Sequence, residues 1–316
     1  MAKLPQQEIA RVKALGFLRN RGQDTFSARV VSKNGVMTAE QLKHVAECAE
    51  KYGAGRTCFT SRLTVEIPGV SLDDVDNVRD FIAQAGLVVG GTGAKVRPLT
   101  SCKGTTCVYG NADTQRICAK LFDTFYTGWG NVTLPHKFKI SVGGCPNSCM
   151  KPSLNDFGIE AHRVPVLDLE KCRGCKKCVV SDRCPMHAAG VVDGKLHIDS
   201  QKCADCGVCV ELCPFGVMLP VETPVFAVYV GGTWGKHTRT GTRLSRYYTE
   251  EELEDLVAKT ILWYRENGYK KERLGAAIDR LGVEALEAAL ASDDLLKRKD
   301  AILAADLLER PVCVNC

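Results

Sequence analysis

The sequence lacks a long apolar run, and its start, "MAKLPQQEIARVKALG", lacks the apolar core of a signal peptide. A membrane-spanning helix needs about 20 consecutive apolar residues, so we expect no membrane span and a cytoplasmic protein.

The chain also lacks an arginine-rich arm and an RNP-type motif, and its net charge is only +5. These absences argue against a nucleic-acid partner. The glycines of "GGTG" at 90–93 lack the spacing of a phosphate-binding loop.

Cysteine, by contrast, is abundant, with 17 in 316 residues. Disulfides are rare in the cytoplasm, and these cysteines are clustered rather than spread as in a disulfide framework. Their number therefore indicates metal or redox chemistry. We expect Cys48, Cys58 and Cys118 to pack in the core because they fall on predicted helices or strands. Cys313 and Cys316 form a C-x2-C at the end of the chain, where we predict no metal site.

Alternating strands and amphipathic helices predict an α+β protein. The helices are predicted at 38–53, with Thr38 and Gln41 as a capping box, at 71–86, at 112–126 and from 249 onwards. The strands are predicted at 26–32, 58–67, 136–142, 157–165 and 225–232. Within residues 166–222 the composition changes to one rich in cysteine, proline and glycine, which predicts an inserted module.

The inserted module contains "CRGCKKCVVSDRCP" and "CADCGVCVELCP". Each run is a C-x2-C-x2-C followed by a cysteine before proline, which resembles the bacterial two-cluster ferredoxins. In that pattern three cysteines of one run and the last cysteine of the other hold each [4Fe–4S] cluster. The ligand sets would be Cys172, Cys175, Cys178 and Cys213 for one cluster, and Cys203, Cys206, Cys209 and Cys184 for the other.

Two details of the module qualify this prediction. Five residues separate Cys178 from Cys184, where three are usual, so we expect a bulged loop. The segment "VVDGKLHI" predicts a hairpin with an Asp-Gly turn. Zinc is disfavoured because one tetrahedral ion cannot use three cysteines crowded into each run.

A second group of cysteines occurs in "TSCKGTTCVYGN" and "GGCPNSCMKP". Four thiolates satisfy a [4Fe–4S] cluster, and the glycines allow backbone N–H groups to approach its sulfides. The predicted ligands are Cys102, Cys107, Cys145 and Cys149. From spacing alone, a zinc site is the alternative.

Basic residues lie on or beside several predicted strands. Lys137 and Lys139 point to the same face of the strand "HKFKISV", and neighbouring like charges are costly unless an anion lies between them. Arg29, Arg62 and Arg97 are placed similarly. The alternatives are an anion pocket and a solvated basic face.

Together, "SARVVSKNGVMTAEQLKHVAECAEKYGAGRTCFTSRLTVEIPGV", "HKFKISVGGCPNSC" and the two cysteine pairs resemble the sirohaem-dependent nitrite/sulfite reductases. The resemblance resumes at "VYVGGTWGKHTRTGTRLSRYY". Within that family, the embedded ferredoxin pattern most resembles the group of anaerobic sulfite reductase C subunits. One departure is the C-x4-C spacing of the first pair, where many members have C-x5-C.

The resemblance implies the nitrite/sulfite reductase fold with an inserted 2[4Fe–4S] ferredoxin domain. The boundaries expected are 1–70 for a ferredoxin-like half-domain, 71–165 and 223–316 for the two parts of a sirohaem and [4Fe–4S] domain, and 166–222 for the insertion. Because larger relatives contain two copies of this repeat and this chain has one, we expect a homo-oligomer.

The resemblance also implies cofactors and residue roles. The cofactors would be sirohaem and three [4Fe–4S] clusters, with Cys149 bridging one cluster to the sirohaem iron. Sulfite would bind beside Arg29, Arg97, Lys137 and Lys139, while Arg62 and Arg243 would hold sirohaem carboxylates. An electron-donor protein or partner subunit would reduce the ferredoxin module, whose clusters would pass electrons on for the six-electron reduction of sulfite to sulfide.

Two other functions stay open on the sequence. Nitrite reduction to ammonia would use the same fold, because substrate choice depends on the size and charge of the pocket. A non-catalytic iron–sulfur electron carrier would need no sirohaem, although it would also need no anion pocket.

Overall fold

The computed structural model of the chain describes residues 4–311. Cys313 and Cys316 therefore lie outside the described residues. The described part comprises an N-terminal sheet with its helices, a central sheet with the C-terminal helices, and a cysteine-rich module between two strands of the central sheet. None of its helices combines the length and the apolar character that crossing a membrane requires.

The N-terminal unit is an antiparallel sheet covered by helices. Its strand order is β1-β2-β4-β3, and β5 also pairs with β2. The strands are β1 (Phe17–Arg19), β2 (Phe26–Val31), β3 (Cys58–Phe59), β4 (Val65–Val70) and β5 (Val88–Val89). The helices are α1 (Gln6–Ala14), α2 (Ala39–Tyr52) and α3 (Val75–Gln84).

The helix α2 begins as predicted, because Thr38 and Gln41 form both hydrogen bonds of a capping box. The N-terminal unit, however, extends beyond the expected boundary at residue 70. Val75, Val78 and Ile82 of α3 are fully buried in the same core as β2 and β4. The apolar face of α3 therefore belongs to this unit.

The predicted strand at 58–67 is wrong, because the chain turns back between β3 and β4. Leu63 has a positive φ of 58°, and the Thr60 and Thr64 hydroxyls lie 2.6 Å apart across the turn. Period-two alternation continues on both sides of a hairpin, so it does not reveal the turn. Arg62 consequently lies at a hairpin tip, and Cys58, which was predicted to be buried, is exposed.

The central sheet has the order β12-β11-β8-β7-β6, with β6, β7 and β8 parallel and the other neighbours antiparallel. Its strands are β6 (Thr100–Ser101), β7 (Ile140–Gly143), β8 (Phe157–His162), β11 (Val225–Val230) and β12 (Thr242–Arg243). The strand predicted at 136–142 begins only at Ile140, since Phe138 pairs with Val96 through a single bridge. Phe138 and Ile140 are nevertheless buried, and Lys137 and Lys139 are only partly covered.

Helices cover this sheet and complete its core. They are α4 (Thr114–Leu121), α6 (Glu252–Asn267), α7 (Leu274–Leu281), α8 (Val283–Leu290), α9 (Asp294–Lys297) and α10 (Lys299–Ala304). The helix predicted at 112–126 continues after α4 as a π-helix, Phe122–Gly128. Cys118 is buried in this core and Cys48 in the N-terminal core, as predicted.

The cysteine-rich module joins β8 to β11, which are neighbours in the sheet. It contains a short helix α5 (Val179–Arg183) and the hairpin of β9 (Ala189–Val192) and β10 (Lys195–Ile198). The hairpin prediction is confirmed, because Asp193 and Gly194 have φ of 49° and 74°, as a type I′ turn requires.

Candidate functional site

Four cysteines from two loops face one cavity at the carboxyl ends of the neighbouring parallel strands β6 and β7. The cavity opens to solvent and contains about 1000 Å³ of empty space, part of it solvent space at the mouth. Its lining includes all four predicted ligands, which are Cys102, Cys107, Cys145 and Cys149. The parallel pairing of β6 and β7 thus brings together cysteines from two distant parts of the chain.

Glycine lets the backbone approach the sulfur atoms in this cavity. The Gly144 N–H donates to Cys102 Sγ at 3.3 Å. A Cβ on Gly144 would lie 3.1 Å from Gly104 Cα, and one on Gly104 would lie 3.2 Å from Cys102 Sγ. N–H groups that point at thiolates are an outer-sphere feature of iron–sulfur sites.

This donor set fits a cluster better than it fits one ion. Among residues 4–311, no three His, Cys, Asp or Glu side chains are grouped tightly enough to hold a single metal ion. A structural zinc needs four ligands about 2.0–2.3 Å from one point. The four cysteines instead surround a wide cavity, which is the arrangement that a [4Fe–4S] cluster requires.

A second set of cysteines surrounds a smaller cavity in the module, of about 370 Å³. Its lining includes Cys184, Cys203, Cys206 and Cys209, the four residues that were predicted as one ligand set. Backbone N–H groups of Ala188 and Asp205 donate to Cys184 and Cys203 at 3.3 and 3.4 Å. Burial raises the pKa of Cys203 and Cys209 to about 11, so metal binding here must release protons.

The remaining module cysteines lie around the small apolar core of the module. Cys172, Cys178 and Cys213 pack against that core, and half-buried Cys175 lies in the same loop. The N–H groups of Gly174 and Leu196 lower the pKa of Cys172, and the Leu196 bond measures 3.2 Å. Stabilisation of the thiolate is what a metal ligand needs.

One residue that the sequence did not single out connects two of these cysteine sites. The Asn111 N–H donates to Gly144 O at 2.8 Å, and its side-chain amide donates to Cys206 O at 3.3 Å. Cys145 and Cys206 also line one shared cavity. The second cysteine set of the module therefore faces the cysteine site of the central sheet.

A basic cavity adjoins the cysteine site of the central sheet. It encloses about 870 Å³, and its lining includes Arg62, Lys139, Cys149, Lys151 and Trp234. Cys149 lines both this cavity and the four-cysteine cavity, and it is the one exposed member of its set. One thiol is thus open to both spaces.

Three of the four predicted sulfite-binding residues are cations that are attracted by buried Asp156 but do not pair with it. Burial, followed by Arg62, Arg273 and Lys137, lowers the pKa of Lys139 to about 8. Burial also lowers the pKa of Lys137 and of Arg97, with further repulsion from Arg273 and Arg29 respectively. Within residues 4–311, none of these three side chains forms an ion pair.

Arg29 differs, because it is neutralised within the protein. Its guanidinium lies 2.7 Å from Glu66 Oε1 on the paired strand. It also donates to Gly91 O at 3.1 Å, and Arg97 donates to the same oxygen at 2.5 Å. Arg29 therefore holds the Arg97 loop in place and adds little net charge to the pocket.

Arg62 uses most of its donors inside the protein. Its Nε and Nη2 donate to Pro98 O at 2.9 and 2.6 Å, Nη2 donates to Ile140 O, and Nη1 donates to Asn155 Oδ1. Burial lowers its pKa to about 10. One of its five N–H groups remains for a ligand, so its main role is to attach the hairpin tip to the central sheet.

Arg243, like Arg29, Arg97 and Lys137, is not among the residues that line the basic cavity. It lies on β12 opposite Tyr229 and over the Tyr247 ring, 4.7 Å from the ring centroid. Tyr247 in turn donates to Asp205 of the module at 2.6 Å. From the same segment, "GGTWGKHTRTGTR", it is Trp234 that enters the cavity, with Lys151 Nζ 5.3 Å from its ring centroid.

A buried ion pair supports the basic residues. Asp156 is fully buried, accepts the Lys139 N–H at 2.9 Å and forms two bonds of 2.8 Å with Arg273. Neither residue was predicted. Arg273 stands in the polar stretch "YKKERLG", where no periodicity distinguishes it from a surface arginine.

Family comparisons agree with this geometry. Residues 92–299 match the nitrite and sulphite reductase 4Fe-4S domain, and residues 19–85 match the nitrite/sulfite reductase ferredoxin-like half domain. The chain is an enzyme of the nitrite and sulphite reductase family. Its members contain iron–sulfur centres and sirohaem, and the second match agrees with the N-terminal unit continuing past residue 70.

Relatives and solved structures give the same result. The chain is 30% identical over 271 residues to the coenzyme F420-dependent sulfite reductase of Methanocaldococcus jannaschii, covering 84% of this chain and 42% of that protein. It is 28% identical to the C subunit of the anaerobic sulfite reductase of Salmonella typhimurium, and the match covers 81% of this chain and 77% of that subunit. The dissimilatory sulfite reductase I structure superposes with a TM-score of 0.68 at 19% identity. The superposition covers 92% of this chain and 74% of that structure's chain, which establishes the fold.

Proposed function

We propose that this chain reduces sulfite to sulfide. The observation that carries the proposal is that Cys149 lines both the four-cysteine cavity and the basic cavity. A cluster ligand and an anion pocket are thereby in direct contact. Because the chain spans less than half of the archaeal relative, the activity of that whole protein does not transfer by likeness alone.

The chain offers sites for sirohaem and three [4Fe–4S] clusters. Cys102, Cys107, Cys145 and Cys149 would hold the first cluster, and the module cysteines the other two as in a ferredoxin domain. When bound, these groups supply an iron position for the sulfur of sulfite and single-electron transfer. Trp234, Lys151 and the free N–H of Arg62 would contact sirohaem in the basic cavity.

The basic residues would bind and orient the substrate. Sulfite is a dianion, and Lys137, Lys139 and Arg97 offer positive charge that no ion pair of the described residues neutralises, since buried Asp156 pairs with Arg273. The six-electron reduction also removes the three oxygens of sulfite as water, which consumes protons. Lys139, with a pKa of about 8, is suited to donate a proton near neutral pH.

Electrons would reach this site through the module. Cys206 of one module site and Cys145 of the catalytic site line a common cavity, so the module would deliver electrons there. An electron-donor protein or a partner subunit would reduce the module. A second copy of the chain would complete the cofactor wall, because this chain contains one copy of the repeat.

Nitrite reduction is the second candidate, since the family includes nitrite reductases. Nitrite carries one negative charge and sulfite two. Three cations outside any ion pair favour the dianion, and we therefore expect the higher kcat/KM with sulfite.

Anaerobic oxidation of reduced methyl viologen, with sulfite or nitrite as acceptor, tests the proposal. We expect sulfite turnover whose kcat/KM falls as pH rises through about 8, because Lys139 carries its charge below that pKa and loses it above. Lys139→Arg should keep the charge and move this fall to higher pH. An absence of sulfite-dependent oxidation in fully loaded protein would contradict the proposal, and a higher kcat/KM for nitrite would favour the second candidate.

A further inference from the structure

The module is attached to the central unit through its second cysteine run. Among the described residues, the polar contacts that join the module to the rest of the chain come from that run. Arg163 and His162 contact the backbone of Asp205 and Ala204, Tyr247 contacts the Asp205 side chain, Asn111 contacts Cys206 O, and Arg163 approaches Glu211. Residues 169–184 of the first run take part in none of them.

The first run instead presents exposed positive charge. Arg173, Lys176 and Lys177 are exposed and stand between the ligand cysteines of "CRGCKKC". Within residues 4–311 none of the three lies within 4.0 Å of a carboxylate, whereas the neighbouring Lys171 pairs with Asp168. The charges on this loop are therefore available to a partner.

An apolar surface lies among these cations. The Arg173 guanidinium lies 4.3 Å from the centroid of the Phe215 ring, and Phe215 is 37% exposed. Val179, at the start of α5, is exposed to the same extent. A small apolar centre with a charged rim is the composition of a transient protein interface.

We propose that Arg173, Lys176, Lys177 and Phe215 form the docking surface for an acidic, single-electron carrier protein. This proposal rests on the proposed function, because it requires clusters in the module. Each encounter would oxidise the carrier by one electron and reduce this chain by one electron, and no bond would form or break. Electrons would enter at Cys172, Cys175, Cys178 and Cys213, the set that does not face Cys145.

The distribution of charge on the module explains where electrons would enter it and why the carrier would be acidic. The second run, which contacts the central unit, carries Asp205 and an exposed Glu211 beside its cysteines, and the exposed first run carries Arg173, Lys176 and Lys177. Opposite charge on a carrier would raise its association rate about 10- to 1000-fold at low salt. An acidic carrier would thus be guided to the outer end of the electron path.

The test compares Lys176→Glu/Lys177→Glu with a control of equal charge change, Lys13→Glu/Lys297→Glu. Both control lysines are exposed and lie outside the module. A reduced ferredoxin of net negative charge serves as the probe. Its Kd for the oxidised protein and the rate of module reduction in stopped flow are measured at low ionic strength and at about 0.15 M.

We expect the module variant to bind the ferredoxin at least about tenfold more weakly at low salt and to lose most of the salt dependence. In the control variant, the Kd for the ferredoxin and the rate of module reduction should each differ less than twofold from those of the wild type. Reduced methyl viologen, a cation, should reduce the module variant at least as fast as the wild type, because the added negative charge attracts it. If the Glu variant fails to assemble clusters, Lys176→Gln/Lys177→Gln should give a smaller loss in the same direction.

Unchanged Kd and reduction rate in the module variants would overturn the docking surface, as would an equal loss in the control. The proposed function is tested separately by sulfite turnover with methyl viologen, which does not need the docking surface. Turnover without charge-dependent ferredoxin binding would refute only the docking surface. Charge-dependent ferredoxin binding without sulfite turnover would refute only the proposal that the chain reduces sulfite.

Discussion

Replacement of Cys149 by alanine should abolish sulfite reduction while leaving the module cysteines loaded. Cys149 is the exposed member of its set and the one that lines both cavities. Its loss removes a cluster ligand and the contact with the basic cavity together. We expect kcat to fall by more than the roughly 10- to 100-fold that outer-sphere changes cost at metal sites, and iron to fall by up to about five per chain, about four from the cluster and one from sirohaem.

Cys58→Ala is the matched control, because Cys58 is also an exposed cysteine but lies on β3 and lines none of the cysteine cavities or the basic cavity. It should keep the iron content, the spectrum and the turnover of the wild type. Iron analysis, electron paramagnetic resonance of the reduced protein and the methyl viologen assay measure the three quantities. Wild-type turnover in Cys149→Ala would contradict the assignment of Cys149 at the junction of the two cavities.

Replacement of both Lys137 and Lys139 by alanine should remove turnover without loss of iron. Lys139 lines the basic cavity, neither lysine forms an ion pair among the described residues, and neither is among the predicted metal ligands. Removing one preorganised donor from an active site commonly costs about 10²- to 10³-fold in kcat, so the double variant should lose at least about 100-fold. The Kd for sulfite, measured by spectral titration, should rise as well.

The variant Lys13→Ala/Lys297→Ala removes the same charge from exposed positions and should behave as the wild type. The intact clusters of the Lys137 and Lys139 variant would show that the loss is not one of folding. Unchanged sulfite reduction in that variant would contradict the anion pocket. A loss of iron would instead assign the lysines to cofactor retention.

The cysteine pattern predicted more of the site than the strand pattern did. Spacing grouped Cys184 with Cys203, Cys206 and Cys209, and these four do share a cavity, because the ligand order in such loops follows from chain geometry. Alternation could not detect the turn at Leu63, since both arms of a hairpin keep the same period. Arg62 was therefore expected on a strand and lies at a tip.

The basic residues show a second limit of the sequence. Lys137 and Lys139 could be assigned to one face from the sequence, because the alternation of buried and partly covered residues begins before the regular strand does. The position of Arg243 opposite Tyr229 could not be predicted, because the segment around it is irregular and its register depends on β11. Arg273 and Asp156 escaped notice because their pairing joins positions 117 apart in the chain, and only the tertiary fold brings them under the pocket.

The visible absorption spectrum of anaerobically purified protein, recorded with and without sulfite, tests the central claim most directly. Sirohaem gives a Soret-type band and a long-wavelength band above the broad iron–sulfur absorption. We expect both bands, and we expect sulfite to shift them because the anion pocket adjoins Cys149. Iron–sulfur absorption alone in fully iron-loaded protein, unchanged by sulfite, would contradict the reductase and favour an electron carrier.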